Sequence, residues 1–269
     1  MSDLTGRWRA LTEHEARRAL RNWPARAVFL MIGIELAWFV RPAFQFALGR
    51  QGLPIEPAIE QAICGQVCLF MIANLLFLGY TAFDDQGNGM ADRLEMVGVR
   101  RHERLGSKLA VVGAHQLITA AVIHFGAGWW FGVEWNGSIL ARIVLAGALA
   151  LCITALGYAF VAVSRSAAVF NLYCYAAALG FTAASGGLAP YDLLPDWAKA
   201  VGRGLPTWWY LRAIDELAIR GAGVADVLPN VGVLLLFTVG LLLAGALATG
   251  VRPIRRSPVL FLPERHMRR

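Results

Sequence analysis

Charge is scarce in this chain. Asp, Glu, Lys and Arg make up only 16% of its 269 residues, against 57% hydrophobic. Soluble domains carry about 25% charged residues, so this composition excludes an ordinary soluble domain and points to a membrane protein. Cysteine is scarce too, and Cys64, Cys68, Cys152 and Cys174 all fall inside apolar blocks. With none in an exposed loop, no disulfide framework is expected. Cys64 and Cys68 share a helix face with no histidine at metal-ligand spacing, so they read as small packing residues and no metal site is expected. There is no G-x-x-x-x-G-K-[ST] phosphate loop, no H-E-x-x-H and no G-x-S-x-G with convincing partners. The common routes to nucleotide hydrolysis, zinc proteolysis and serine hydrolysis are thereby unsupported. Repeats, low-complexity tracts and long linkers are missing as well, so residues 1–269 read as a single membrane domain.

Six apolar blocks are present, at residues 27–49, 59–83, 107–132, 139–163, 167–189 and 229–251. Each holds the roughly 20 residues that a helix needs to cross about 30 Å of hydrocarbon. The first block follows a basic segment and runs on into five more, which marks it as a true span and not a signal peptide. Orientation comes from the cations. With both termini inside, the cytoplasmic side receives six arginines before the first span and five Lys or Arg between spans two and three. Arg165 and the six arginines of the tail 252–269 complete a set of eighteen out of 25. The formal charge of +7 is therefore an orientation signal for a multi-pass plasma-membrane protein, with no nucleic-acid partner implied.

Three stretches outside the spans carry pattern. In residues 1–26, "TEHE" (Thr12 to Glu15) forms a capping box at which a helix can start. Ala16, Ala19, Leu20 and Trp23 then make an apolar stripe, with Arg17, Arg18 and Arg21 turned the other way. Such a helix lies in the membrane interface, as a lipid anchor or as a docking surface for a soluble partner. In residues 84–106, Gly87, Asn88 and Gly89 form a turn. Met90, Leu94 and Val97 recur at helical spacing, Gly98 offers a left-handed stop, and Asp92, Arg93 and Glu95 face away. This short helix either packs on the span ends or inserts into a partner. The segment 190–228 is too polar and proline-rich to cross. Pro195, Gly202, Gly204 and Pro206 divide it into short helices near 195–203 and 206–219, and Trp208, Trp209 and Tyr210 suit an interfacial belt.

Polar residues inside spans are costly unless they face protein or water. Glu35 is expected to face a cavity or a helix contact, and Arg41 to snorkel outward. His115 and His124 share roughly one face of span three. Asn74, Gln116 and Asn171 are expected to make interhelical hydrogen bonds. Trp38, Phe39, Phe44, Phe46, Phe70 and Phe77 suit an apolar or amphipathic ligand.

Two of these stretches together carry a family likeness. "DDQGNGMADRLEMVGVRRHERLGSKLA" resembles the loop after the second span of type-2 ABC exporter permeases, through Asp85, Gly89, Asp92, Arg93, Leu94, Gly106 and Lys108. Gly186, Gly187, Pro190, Leu194, Pro195, Trp197 and Pro206, followed by Thr207 to Tyr210, resemble that family's segment between spans five and six. Span count and loop lengths agree, and the nearest type is the antibiotic- and daunorubicin-resistance permease. The resemblance implies an all-α membrane protein with six transmembrane helices, an N-terminal amphipathic interface helix, a short cytoplasmic coupling helix and outer re-entrant helices between spans five and six. It implies a dimer with a second copy or a related permease, embedded in membrane lipid. A separate nucleotide-binding ATPase subunit would hold ATP and Mg, leaving this chain without cofactor and without catalysis. Coupling to the ATPase would fall to Asp85, Met90, Asp92, Arg93, Leu94, Val97, Arg100 and Arg101, with Glu15 and Arg18 from the N-terminal helix. A substrate pathway would include Glu35, Asn74, Phe77, His115 and Asn171. An outer cap would use Gly186, Gly187, Pro190, Pro195, Trp197, Pro206, Trp208 and Trp209. The expected cargo is a hydrophobic or amphipathic compound: a drug, a natural-product antibiotic or a lipid. Alternatives are export of a lipid-linked glycan or polysaccharide, a membrane-embedded enzyme using Glu35 or the histidines, and a non-transporting membrane anchor.

Overall fold

A computed structural model describes residues 2–251, and the tail 252–269 lies outside the described residues. Among those described there is no strand. The chain forms helices α1 (Ser2–Arg21), α2 (Trp23–Arg50), α3 (Ala58–Ala73), α4 (Leu75–Gly87), α5 (Met90–Met96), α6 (Arg101–Ala121), α7 (Ala127–Trp130), α8 (Ile139–Val163), α9 (Ala167–Ala184), α10 (Asp196–Arg203), α11 (Pro206–Arg220) and α12 (Val224–Val251). Among the described residues, six stretches are long and apolar enough to cross a membrane: Trp23–Arg50, Ala58–Asp85, Glu103–Trp130, Ile139–Val163, Ala167–Ala184 and Val224–Thr249. Numbered in chain order, these are spans one to six, and they make this a multi-pass membrane protein.

Span two is the centre of the bundle. Of its most apolar window 83% is buried, against 17% for span six. Ile63, Val67, Met71, Leu75 and Leu78 of span two pack with Ile123 of span three, Leu145, Leu149 and Ile153 of α8, and Phe170 of α9. In lipid such packing rests on close van der Waals fit, since the tails outside are as apolar as the core. Small residues permit the closest approaches. A Cβ on Gly65 would stand 2.0 Å from the Gly187 carbonyl oxygen, so the start of span two and the end of span five touch backbone to backbone. Span six lies along α8, with Gly245 against the Tyr158 ring.

Two spans are interrupted where sequence suggested continuous helix. Span two breaks at Asn74, and Phe77 N–H bonds to the Asn74 carbonyl at 3.1 Å, one residue nearer than α-helical pairing allows. Span three passes through a π-helical turn, Val122–Gly126. Interhelical side chains support the break. Asn74 Nδ2 donates to Thr119 Oγ1 at 2.7 Å, and Gln116 Nε2 donates to the Met71 carbonyl at 2.8 Å. Both span three residues thus serve the broken span, which is how backbone irregularity survives at membrane depth. The side chain of Asn171, expected to bond similarly, makes no hydrogen bond among the described residues, and the residue sits half-buried on α9.

The N-terminal helix differs from its expected start. It begins at Ser2 and runs through the "TEHE" box, where the Thr12 hydroxyl bonds back to the Trp8 carbonyl at 2.9 Å. A helix already under way leaves no free N–H for that box to cap. Between spans five and six the two short helices appear at Asp196–Arg203 and Pro206–Arg220. Pro195 occupies the N-cap of the first and Pro206 the first turn of the second, and Gly221, at φ +65°, ends it. Span five stops at Ala184, five residues early, because Gly186 at φ +89° turns the chain out of the helix.

Candidate functional site

At the end of the bundle that carries α1, charged side chains form a buried network. Lys108 on span three is 2% exposed and bonds to both Glu15 of α1 and Asp85 at the end of span two, the latter at 2.7 Å. Arg18 of α1 reaches Asp85 Oδ1 at 2.8 Å and also Asp84. The expectation placed Arg18 on an outward polar face and Glu15, Arg18 and Asp85 at a partner surface. Instead all three bind α1 to the span ends, because acids distant in sequence meet these cations in space. Of the apolar stripe, Ala16 and Ala19 are half-buried while Leu20 and Trp23 are exposed, and Arg17 and Arg21 are exposed as expected.

The short helix α5 hangs outside this clamp. Gly89 (φ +65°) precedes it and Gly98 (φ +82°) follows it, both left-handed, as the turn chemistry requires. Met90 and Val97 are exposed as the stripe implied, while Leu94 is half-buried. Met96, absent from that stripe, is 79% exposed, more than Val97 at 69%. The helix ends at Met96, so Val97 leaves the helical register and joins Met96 at the tip. Asp92, Arg93 and Arg100 are exposed around it. The side chain of Arg101 lies outside the described residues.

Deeper in the bundle, three of the five pathway residues meet. Asn74, Phe77 and His115 line a cavity of about 30 Å³ together with Arg26 and Lys108. Phe77 lies edge-on to His115 with ring centres 6.2 Å apart, and the Arg26 guanidinium stands 4.7 Å from the Phe77 centroid. Asn74 Oδ1, His115 Nε2 and Arg26 Nε are buried without a protein hydrogen bond, which makes this a polar space of water size. Asn171 and Glu35 are not part of it. Glu35, expected to face a cavity or a helix contact, lies exposed on span one among Met31, Ile32, Trp38 and Phe39. The hydrophobic neighbours on that face are exposed too, and among the described residues no hydrogen bond or ion pair reaches the carboxylate.

At the opposite end, Gly186 and Gly187 are buried where span five meets Gly65, and Ser185 and Thr207 hydroxyls bond at 2.6 Å. Trp209 Nε1 donates to the Arg203 carbonyl at 3.2 Å, joining α11 to α10, while Trp208 lies 6.0 Å from Tyr191. Trp197 is exposed, and Pro190 is buried.

Residues 59–247, from the start of span two almost to the end of span six, match the family described as ABC-2 family transporter protein. The chain belongs to this family. It is also 28% identical over 218 residues to the linearmycin resistance permease protein LnrN of Bacillus subtilis (strain 168). That match covers 77% of this chain and 52% of the relative, so the chain spans about half the length of the relative it matches.

Within this ABC-2 chain, one buried cluster went unread in the sequence. Arg142 of span four and Glu60 of span two are 1% and 2% exposed and pair through Nε–Oε1 at 2.8 Å and Nη2–Oε1 at 2.7 Å. Arg142 also donates to the Asn136 carbonyl and lies 5.2 Å from the Trp135 ring. On the other side Trp135 stacks on His124 with centroids 4.8 Å apart, and His124 Nδ1 is 3.2 Å from Cys64 Sγ. So Cys64 does have a histidine beside it, brought there by the π-turn of span three; among the described residues no three metal-binding groups converge. The signal left unread was one acid and one base inside the first residues of two predicted spans, Glu60 and Arg142.

Proposed function

We propose that this chain is the permease subunit of an ATP-driven exporter. It would work as a dimer with a second copy or a related permease, driven by a separate ATPase subunit that carries ATP and Mg. The α1 end would face the cytoplasm, as the distribution of Lys and Arg requires, and α10 and α11 would lie outside as re-entrant helices above the exit. The observation that carries this reading is α5. Its tip exposes Met96 and Val97. Its base follows span two through the turn at Asn88 and Gly89 and is held by Arg104 of span three, which donates to the Ala91 carbonyl at 3.0 Å, while the end of span two is locked to α1 and span three by Asp85. A helix that exposes its apolar tip but is tied to the span ends behind suits insertion into a partner that pushes on it. Force applied there would pass to the spans and shift the dimer between inward- and outward-open states. Exposed Glu35 favours a second permease against span one, because a carboxylate facing lipid costs about 2.5 kcal/mol or more.

The cargo is an amphipathic or apolar compound of the antibiotic kind. The likeness to a relative named for linearmycin resistance supports this class, as do the aromatic side chains Trp38, Phe39 and Phe46 exposed on span one.

The test uses Met96→Asp with Val97→Asp in the assembled complex. Both side chains are exposed, so folding and membrane insertion should be unchanged. ATP-dependent export into inside-out vesicles should fall at least tenfold, with the ATPase either released from the membrane or hydrolysing without transport. Wild-type export by the double variant would contradict the coupling role.

A further inference from the structure

A second, larger pocket lies at the α11 end. It measures about 240 Å³ and is bounded by the end of span one, the start of span two, the end of span five, the turn at Tyr191 and Asp192, and α11. One wall is apolar, made by Phe44, Leu48, Ile214 and Ile219. The other is polar and carries Asp215. Its Oδ1 accepts a hydrogen bond from Gln61 Nε2 at 2.8 Å, and its second oxygen has no hydrogen bond among the described residues. The charged groups around it are Asp192 from the turn and Arg212, Glu216 and Arg220 from α11. Span one contributes Gln51, already donating to Asp192, and the end of span five contributes no charge. Three carboxylates thus meet two guanidiniums, and Arg212 Nε leans towards Glu216 at 3.9 Å.

We propose that this pocket binds an organic cation, a protonated or quaternary amine with an apolar body, through Asp215 and the facing apolar wall. A point-like metal ion fits poorly, since among the described residues no three acidic, histidine or cysteine groups come close enough to share one ion. A cation with a body of aromatic size spans the distance from carboxylate to hydrocarbon wall, gaining charge pairing at one end and apolar contact at the other. Burial pushes the Asp215 carboxyl up to about 7, with Asp192 and Glu216 adding to the rise and Gln61 and Arg212 opposing it. A bound cation favours the ionised form, so below pH 7 binding must displace a proton. The site stands apart from the transport reading, because occupancy is measured without turnover.

The experiment is calorimetric titration of the full chain, in nanodiscs of zwitterionic lipid, with benzyltrimethylammonium and with the anion benzylsulfonate. Saturable binding of the cation is expected, with none of the anion. Affinity should rise about eightfold from pH 6 to pH 7.5 as a group titrating near 7 ionises. Asp215→Asn should weaken binding at least tenfold and abolish the pH dependence. That variant should remain folded. A carboxyl raised in the folded state loses stability as pH rises from the unfolded value towards 7, so its removal should leave the thermal midpoint at pH 8 unchanged or higher. Failure of wild type to bind the cation, equal binding of benzylsulfonate, or an affinity indifferent to pH would each overturn the proposal.

Discussion

Arg142→Met should cost this protein about 3–5 kcal/mol, the usual loss when one partner of a buried ion pair is removed. Glu60 would be left 2% exposed with no cation, since Arg142 makes both of the contacts to its Oε1. The Asn136 carbonyl would lose its donor as well, and Trp135 its cation. Thermal aggregation in mild detergent reads the effect as a large fall in midpoint. The double variant Glu60→Leu with Arg142→Met removes both charges and fills the space with apolar atoms of similar size. It should recover most of the loss, because an apolar pair no longer bears the cost of desolvating two ions. A double variant as unstable as the single would show that the charges serve something beyond each other.

Lys108→Met should have the next largest effect, about 3 kcal/mol, and a different signature. The network contains three carboxylates, Glu15, Asp84 and Asp85, and two cations, Arg18 and Lys108. Without Lys108, buried Glu15 and Asp85 face one another with Arg18 alone between them. The least costly relief is for α1 to swing away and hydrate its acid. Trypsin should then cut at Arg17, Arg18 or Arg21 many times faster than in wild type, while the bundle itself stays assembled. Moderate salt should leave wild-type cleavage unchanged, since buried pairs are weakly screened. Equal cleavage rates would show that the apolar contacts of α1 suffice to hold it.

The spans were legible because crossing hydrocarbon demands about 20 apolar residues in a row, a signal that is wholly local. Span four was read at 139–163 and forms Ile139–Val163. The helices α10 and α11 were legible for a different local reason, since Pro195, Gly204, Pro206 and the flanking polar residues constrain the backbone directly. What stayed hidden depends on pairing between distant residues. Arg18 was assigned outward because it lies opposite the Ala16, Ala19, Leu20 and Trp23 stripe, yet its partners lie 66 and 67 residues away. Glu60 and Arg142 are 82 apart. The break at Asn74 was hidden as well, since the apolar run continues straight through it and its supports come from span three. Glu35 was expected at a cavity or a helix contact on grounds of cost, and its exposure among the described residues could not be read from the local sequence.

The sidedness of the bundle decides whether α5 can meet an ATPase at all, and two cysteine positions measure it directly. Val97→Cys and Lys199→Cys, each in a chain with its four natural cysteines replaced by alanine, are treated with a membrane-impermeant maleimide, first on intact cells and then on inside-out vesicles. Position 199 should react on intact cells and position 97 only in the vesicles, with the ATPase subunit slowing the reaction at 97. Labelling of position 97 on intact cells, or of position 199 only in vesicles, would place α5 on the wrong side of the membrane and contradict an exporter driven by ATP through that helix.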